Sequence, residues 1–418
     1  LTVRLRLAAL AAPLLLLAAC GGSSSPATNP PASSWPHVVP APQDVTPWVT
    51  ERDGEFVDAA GRRVLLRGVD VAVGSPPSVY EQATELHVNF VRIVAPWSLF
   101  EPAAPTGGVQ HWDTGMLQDL DAEVQFFEQN QINVLIDFHQ FHWSPYFAGH
   151  HCAATGQCTA RGIPAWFYRN GRFPETGSGQ RAAEAAFWTT ERTASQADYA
   201  AFAAMMATRY ARYPNVVGYE IINEPPPGSL PARTATETML RWQVPIRNVL
   251  RTVDPKRTVF IMCNGGGQGI GTAPIGPIFG NLNHLALDFH DYYNGAPGTG
   301  LNRVGDWWVP SWKATHLQHT TAYTGTLANQ QAVLGKIADT ARRWSIPLLV
   351  GEWGIHTGTP GSATYQSQML WLFDHFDLSY ARWELADGSG FALFTKSGGI
   401  TPEAQQLSST LQQNPNRS

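Results

Sequence analysis

Eight short runs of strand-forming residues, each separated from the next by amphipathic helical stretches, leave few folds open to this chain. The runs are 64–72 (VLLRGVDVA), 90–97 (FVRIVAPW), 133–140 (NVLIDFHQ), 216–224 (VVGYEIINE), 258–264 (TVFIMCN), 285–292 (LALDFHDY), 347–353 (PLLVGEW) and 381–386 (ARWELA). Helical patterning occupies about 113–130, 196–213, 234–253, 327–345 and 363–378, with shorter pieces near 78–87 and 402–413. Near-continuous apolar strands joined by helices form parallel sheets covered on both faces. Eight such units favour a closed barrel over an open doubly wound sheet. The expected fold is therefore α/β, a single (β/α)8 TIM barrel over residues 48–415, with long loops after the third and sixth strands. The preceding EFVDAAGRRVLL reads as a β-hairpin turning at Ala60–Gly61 and plugging the N-terminal mouth.

The first 47 residues read differently. Arg4 and Arg6 precede an apolar run, Leu7 to Leu17, too short to span a bilayer and patterned as a signal peptide. It ends in Leu17-Ala18-Ala19-Cys20, which resembles the bacterial lipobox, so residues 1–20 are expected to be removed as a lipoprotein signal with Cys20 acylated. Ordinary secretion with cleavage near Ala19 is the alternative. Residues 21–47, rich in Gly, Ser, Pro and Ala, form a tether too poor in apolar residues to fold. These features place the protein outside the cytoplasm, at the bacterial envelope or secreted, touching membrane only through the lipid. A formal net charge of −5 gives no basic footprint for nucleic acid. Export makes a Cys152–Cys158 disulfide the first reading of HHCAATGQC, with a metal site using His150 and His151 as the alternative. Cys263 follows a strand and reads as buried and inert.

Polar residues gather at the strand ends, where a barrel keeps its active site. They are Arg92, Asp137, His139, Asn223, Glu224, His290, Tyr292, Glu352 and Trp383. Glu224 ends the fourth strand and is followed by three prolines that cannot extend a ladder. Glu352 ends the seventh, nearly opposite. Two carboxylates facing each other across a rim suit hydrolysis of a glycosidic bond, one as nucleophile and one as a proton donor whose pKa is lifted by its surroundings. Arg92 and Tyr292 could hold one carboxylate ionised while His290 tunes the other.

The set VLLRGVD, FVRI, DFHQ, YEIINEP, FHDYY, LLVGEWG and RW resembles glycoside hydrolase family 5, the cellulase family of retaining (β/α)8 enzymes, from about residue 48 to 412. FHDYY and GIPAWF (162–167) are similar to its endoglycoceramidase-like branch. The resemblance implies Glu224 as acid–base and Glu352 as nucleophile. It further implies Asn223 on the sugar 2-hydroxyl, Arg92 and Tyr292 bonded to the nucleophile, and His139 and His290 in the same subsite. Trp383 would be the sugar platform, with a cis peptide after it. The substrate would be a β-linked glucan, mannan or glycolipid, handled without cofactor or metal by a monomer.

Other residues have plainer readings. Glu220 sits below the rim as a buried, paired carboxylate, and Asp137 as a buried hydrogen-bond partner. Glu101 reads as an exposed loop charge, and Glu384 as either structural or sugar-binding. The glycines of NGGGQGIG (264–271) lack the Lys-Ser/Thr of a phosphate loop and precede TAPIGPIFG rather than a helix. The insertions at 141–195 and 293–326 are rich in aromatics: Trp143, Tyr146, Trp166, Phe167, Tyr168 and Trp188, then Trp307, Trp308 and Trp312. Some would stack on sugars and the rest pack their own loops, while His316 and His319 read as solvated. A non-catalytic carbohydrate-binding lipoprotein and a transglycosylase on the same scaffold are the competing readings.

Overall fold

The computed structural model describes residues 45–155, 160–267, 269–293, 322–323, 325–386 and 390–413. The leader with Cys20, most of the tether, Cys158, and the residues Trp307, Trp308, Trp312, His316 and His319 lie outside the described residues. Strands β1 (Val49–Arg52) and β2 (Glu55–Asp58) form an antiparallel hairpin. The barrel strands are β3 (Arg67–Ala72), β4 (Phe90–Val94), β7 (Asn133–Asp137), β8 (Val216–Glu220), β9 (Thr258–Met262), β10 (Leu285–Tyr292), β11 (Leu348–Gly354) and β12 (Ser379–Arg382). They are all parallel and close in chain order, β12 pairing back onto β3. A small hairpin, β5 (Ala103–Thr106) with β6 (Val109–His111), decorates the rim after β4 and has no counterpart in the expected pattern.

Period-two alternation explains both halves of the core. In β4, Val91 and Ile93 face the surrounding helices, while Phe90 and Arg92 face the barrel axis. The axial layer nearest the N-terminal mouth is apolar: Leu66, Phe90, Leu135, Val217, Phe260, Ala286, Leu349 and Ala381. Val49 and Phe56 of the hairpin close this layer, the Phe56 ring lying 5.7 Å from that of Phe260. The plug is thus present, but its turn is Asp53–Gly54, at φ +53° and +85°, an Asp-Gly pair suited to a two-residue hairpin. The expected turn at Ala60–Gly61 follows it and carries only a single bridge, Val57 to Arg63. The chain is already docked at Val45, whose carbonyl accepts from Arg257.

The helices fall where the periodicity placed them, among them Thr114–Gln129, Arg192–Tyr210, Ala232–Val253, Leu327–Trp344 and Ser362–Phe376. Asp113 caps the first of these, its carboxylate accepting from the amides of Gly115 and Met116. The insertion after β7 carries two further helices, Ala148–Thr155 and Gly177–Trp188, and TAPIGPIFG contains a helical turn, Ile275–Phe279. Among the described residues no helix is long and apolar enough to cross a membrane.

Candidate active site

Several strands stop earlier than the sequence pattern suggests, and this decides how the rim is built. β7 ends at Asp137 and β8 at Glu220, so His139, Asn223 and Glu224 stand beyond the ladder rather than on it. Phe138 and Ile221 still donate to the neighbouring strands at Glu220 and Phe260, and from Asn223 onward the backbone carbonyls turn to a side chain. Gln140 donates from Nε2 to the carbonyls of Asn223 (3.1 Å) and Glu224 (2.8 Å), and Asn223 returns a bond to the Gln140 carbonyl (3.0 Å). Glu224 adopts φ +35°. A rigid strand end therefore does not fix this carboxylate; side-chain bonds from the next loop do.

Arg92 is the hub beneath. Its Nε donates to Glu220 (2.7 Å), Nη1 to Asp70 (3.0 Å) and Glu352 (2.8 Å), and Nη2 to Asn223 (2.8 Å), with Asp137 3.0 Å from Nη2. Four of the five N–H donors of the guanidinium thus have a hydrogen-bond acceptor, and Asp137 adds an ion pair at Nη2. Burial alone would weaken its hold on the proton, but Asp137, Glu220, Glu352 and Asp70 carry its pKa well above the ordinary value. Burial pushes Asp70, Asp137 and Asp288 up in spite of Arg92, whereas Glu220 is held below its usual range by the guanidinium it contacts. Glu220 and Asp137 are the buried, paired groups their positions implied. Asp70 and Asp288 were not singled out by the sequence reading; each is an acid inside an apolar strand (RGVDVA, LALDFHDY), which is the signal that marks them.

Above this layer the two rim glutamates meet. Glu352 accepts from Arg92 on Oε1 and from the Tyr292 hydroxyl on Oε2 (2.7 Å). His290 Nδ1 lies 2.8 Å from Glu224 Oε1 and 3.4 Å from Glu352 Oε2. One ligand atom from each of these three residues falls within 4.8 Å of the others. His139 is buried, 2.7 Å from Asp137 through Nδ1, and burial pushes its pKa down to about 4, so it is neutral at neutral pH. The Trp383 indole lies nearly parallel to the His139 ring, 5.9 Å between centroids, and the Trp383–Glu384 peptide is cis. All nine rim residues named by the sequence therefore come to one site. Glu101, expected as an exposed loop charge, is instead buried against the Trp97 indole N–H (2.8 Å).

Glu224 does not carry the electrostatics expected of the proton donor. Burial raises the Glu224 pKa, but the hydrogen bond and charge of His290 outweigh it and hold the carboxyl below its usual range. Burial opposes charge on His290 too, yet Glu352 and the bond to Glu224 bring its pKa up to about 10. The proton of this pair rests on the imidazole, not on the glutamate. A folded value above the ordinary 6.5 means that the stability from His290's charge is complete below about pH 6.5 and lost as pH rises through about 10. Glu224's contribution runs the other way and is lost only in acid. The melting temperature should therefore decline across that alkaline window, and His290→Asn should flatten the decline. Parallel melting curves for the two proteins would contradict the assignment.

Glu220, Asp288 and His290 also bring ligand atoms within 4.8 Å of one another. In shape either trio could hold a small cation. Arg92, whose Nε is 2.7 Å from Glu220 and 3.8 Å from Asp288, already supplies the positive charge to the lower one. The glycines of 264–267 serve the upper site: Gly266, at φ +75°, lies so close that a Cβ there would meet Glu224 Oε1 at 3.2 Å. Of the insertion aromatics, Trp143, Tyr168 and Trp188 are buried, Trp143 Nε1 donating to Tyr168 (2.8 Å) and Trp188 Nε1 to the Pro226 carbonyl (2.8 Å). Tyr146, Trp166 and Phe167 remain half-buried. Cys263 is a buried free thiol, pushed up to about 12 by burial.

A family model described as cellulase (glycosyl hydrolase family 5) matches residues 57–389. Solved structures with a similar fold include an endogalactoceramidase, 20% identical over 87% of this chain and 84% of that one, with TM-score 0.67. Endo-glycoceramidase II from Rhodococcus sp. is 19% identical over 85% and 81%, with TM-score 0.62. The cellulose synthase subunit Z of Clostridioides difficile is 16% identical over 83% and 99%, with TM-score 0.56. A search of curated protein sequences found no match.

Proposed function

Because this chain belongs to glycosyl hydrolase family 5, the cellulase family, and is a glycosidase, we propose that it cleaves β-linked sugars with retention of configuration, using Glu352 as nucleophile and Glu224 as acid–base. The observation that carries this reading is the close approach of the two carboxylates, whose nearest ligand atoms lie within 4.8 Å of each other around His290. Retaining enzymes need roughly 5–5.5 Å between carboxyl groups, whereas inverting ones need about 6.5–9.5 Å to admit a water.

In the first step Glu352 attacks the anomeric carbon as the bond to the leaving oxygen breaks. Tyr292 and Arg92, one on each carboxylate oxygen, fix the attacking group. The leaving oxygen takes a proton from Glu224, which receives it from His290 Nδ1 along their 2.8 Å hydrogen bond. This relay reconciles an acid role with a carboxyl held low in the resting site. In the second step Glu224 removes a proton from water, the water oxygen displaces Glu352, and a β-hemiacetal leaves. The proton then returns to His290. Asn223 keeps one amide hydrogen free of the Gln140 carbonyl for the sugar 2-hydroxyl, and Trp383, parallel to His139, offers its face as the platform.

The substrate class proposed is a β-glucan, mannan or glycoconjugate. The names of the endoglycoceramidases that share its fold support including glycolipids among the candidates. We also propose a lipid-anchored or secreted location, carried by the leader and Cys20, and a Cys152–Cys158 bridge in the insertion after β7. NMR of the first product decides the stereochemistry. A β-anomer that mutarotates later is expected, and an α-anomer at the outset would remove the mechanism.

A further inference from the structure

We propose that Gln140 is a positioning residue for proton transfer, its carboxamide clamping the Asn223 and Glu224 carbonyls so that the acid–base side chain points at His290 and Glu352. The proposal rests on the reading of Glu224 as acid–base. Four hydrogen bonds define the clamp. Gln140 Nε2 donates to both carbonyls, Oε1 accepts from the Trp143 amide (3.1 Å), and the Gln140 carbonyl accepts from Asn223 Nδ2. Every polar atom of the carboxamide is committed to protein, and only 7% of the residue is exposed. Gln140 is therefore placed to act through Glu224 rather than on substrate.

The need for a clamp comes from the backbone. Glu224 holds φ +35° and precedes proline, a place where a residue with a Cβ is crowded both by its own carbonyl and by the proline ring. Such a conformation persists only where its surroundings impose it. On the strand side, the Glu224 amide donates to a thioether, Met262 Sδ (3.1 Å), a weak acceptor. Gly265 N–H holds the Pro225 carbonyl (3.0 Å), one residue on. The bond from Gln140 Nε2 to the Glu224 carbonyl is the strong restraint on the backbone of Glu224 itself, and its companion holds the Asn223 carbonyl just before it. Relaxation toward negative φ would swing the carboxyl off His290 and lengthen the path for the proton.

Two variants and two readouts test this. Gln140→Leu removes the donors, and Gln140→Glu keeps the size but sets carboxylate oxygens against both carbonyls, so one informs if the other fails to fold. The first readout needs no substrate: the 15N-NMR titration midpoint of His290, expected near 10 in the parent, should fall in both variants as it should in Glu224→Ala. The second uses aryl β-cellobiosides. On 4-methylphenyl cellobioside, whose leaving group needs the proton, kcat/KM should fall by roughly 10²-fold, the scale of an ångström of misplacement. On 2,4-dinitrophenyl cellobioside kcat/KM should hold, while kcat and KM fall together because water activation also slows; azide should restore that kcat. An unmoved His290 midpoint in a folded variant overturns the clamp, as do equal losses on the two glycosides. A Glu224→Ala protein with no leaving-group dependence would instead condemn the acid–base assignment on which the clamp rests.

Discussion

Glu352→Ala should abolish turnover, with a loss on the order of 10⁵-fold or more, the scale of deleting an enzymic nucleophile. Glu224→Ala should lose roughly 10²–10⁴-fold on substrates with poor leaving groups and far less on activated ones, since these depart without a proton. Azide separates the two roles by stereochemistry. In Glu224→Ala it intercepts the glycosyl-enzyme from the face opposite Glu352 and gives a β-glycosyl azide. In Glu352→Ala it can enter only where the carboxylate stood, which never yields the β product. Chromatography and NMR of the azide adducts provide the check. A β-azide from Glu352→Ala would exchange the two assignments.

Arg92→Met should unfold much of the population or lower stability by about 3–5 kcal/mol or more, as expected when one partner of a buried ion pair is removed. The guanidinium is fully buried and contacts Asp70, Asp137, Glu220 and Glu352, so its loss strands several acids in a low-dielectric interior. Arg92→Lys should fail nearly as badly, because three ammonium donors on a flexible stem cannot meet five acceptors set around a plane. Denaturant unfolding measures the first effect, and retention of full stability by the lysine variant would show that the fork geometry is dispensable.

The barrel was legible in the sequence because burial on both faces leaves parallel strands as apolar runs, and the helices between them keep their 3.6-residue stripe. The nine rim residues were legible because each interrupts or closes such a run. Gln140 was not: it sits inside DFHQ, but its use depends on the chain at 223–224 folding back toward it, a contact 83 residues distant. Asp288 was missed for a related reason, since an acid facing inward from the middle of a strand has a purpose only once Arg92 and Glu220 lie beside it. The direction of the Glu224 shift also needed the fold. A carboxyl at a barrel rim is expected to be lifted by burial, and only an imidazole 2.8 Å away reverses that. The helices within the insertion after β7 escaped because their short, alanine- and glycine-rich segments carry little periodic signal.

The hairpin that seals the N-terminal mouth has a consequence for traffic. With Val49 and Phe56 seated on an apolar layer that side chains of all eight strands fill, the barrel axis is closed beneath the site. A polymer cannot be drawn through it as a thread through a bead. It must lie across the open end, or dip one terminus in and withdraw it, and the released sugar leaves by the doorway through which the intact chain arrived. The order in which the two fragments depart is then governed by which of them covers the other at that doorway.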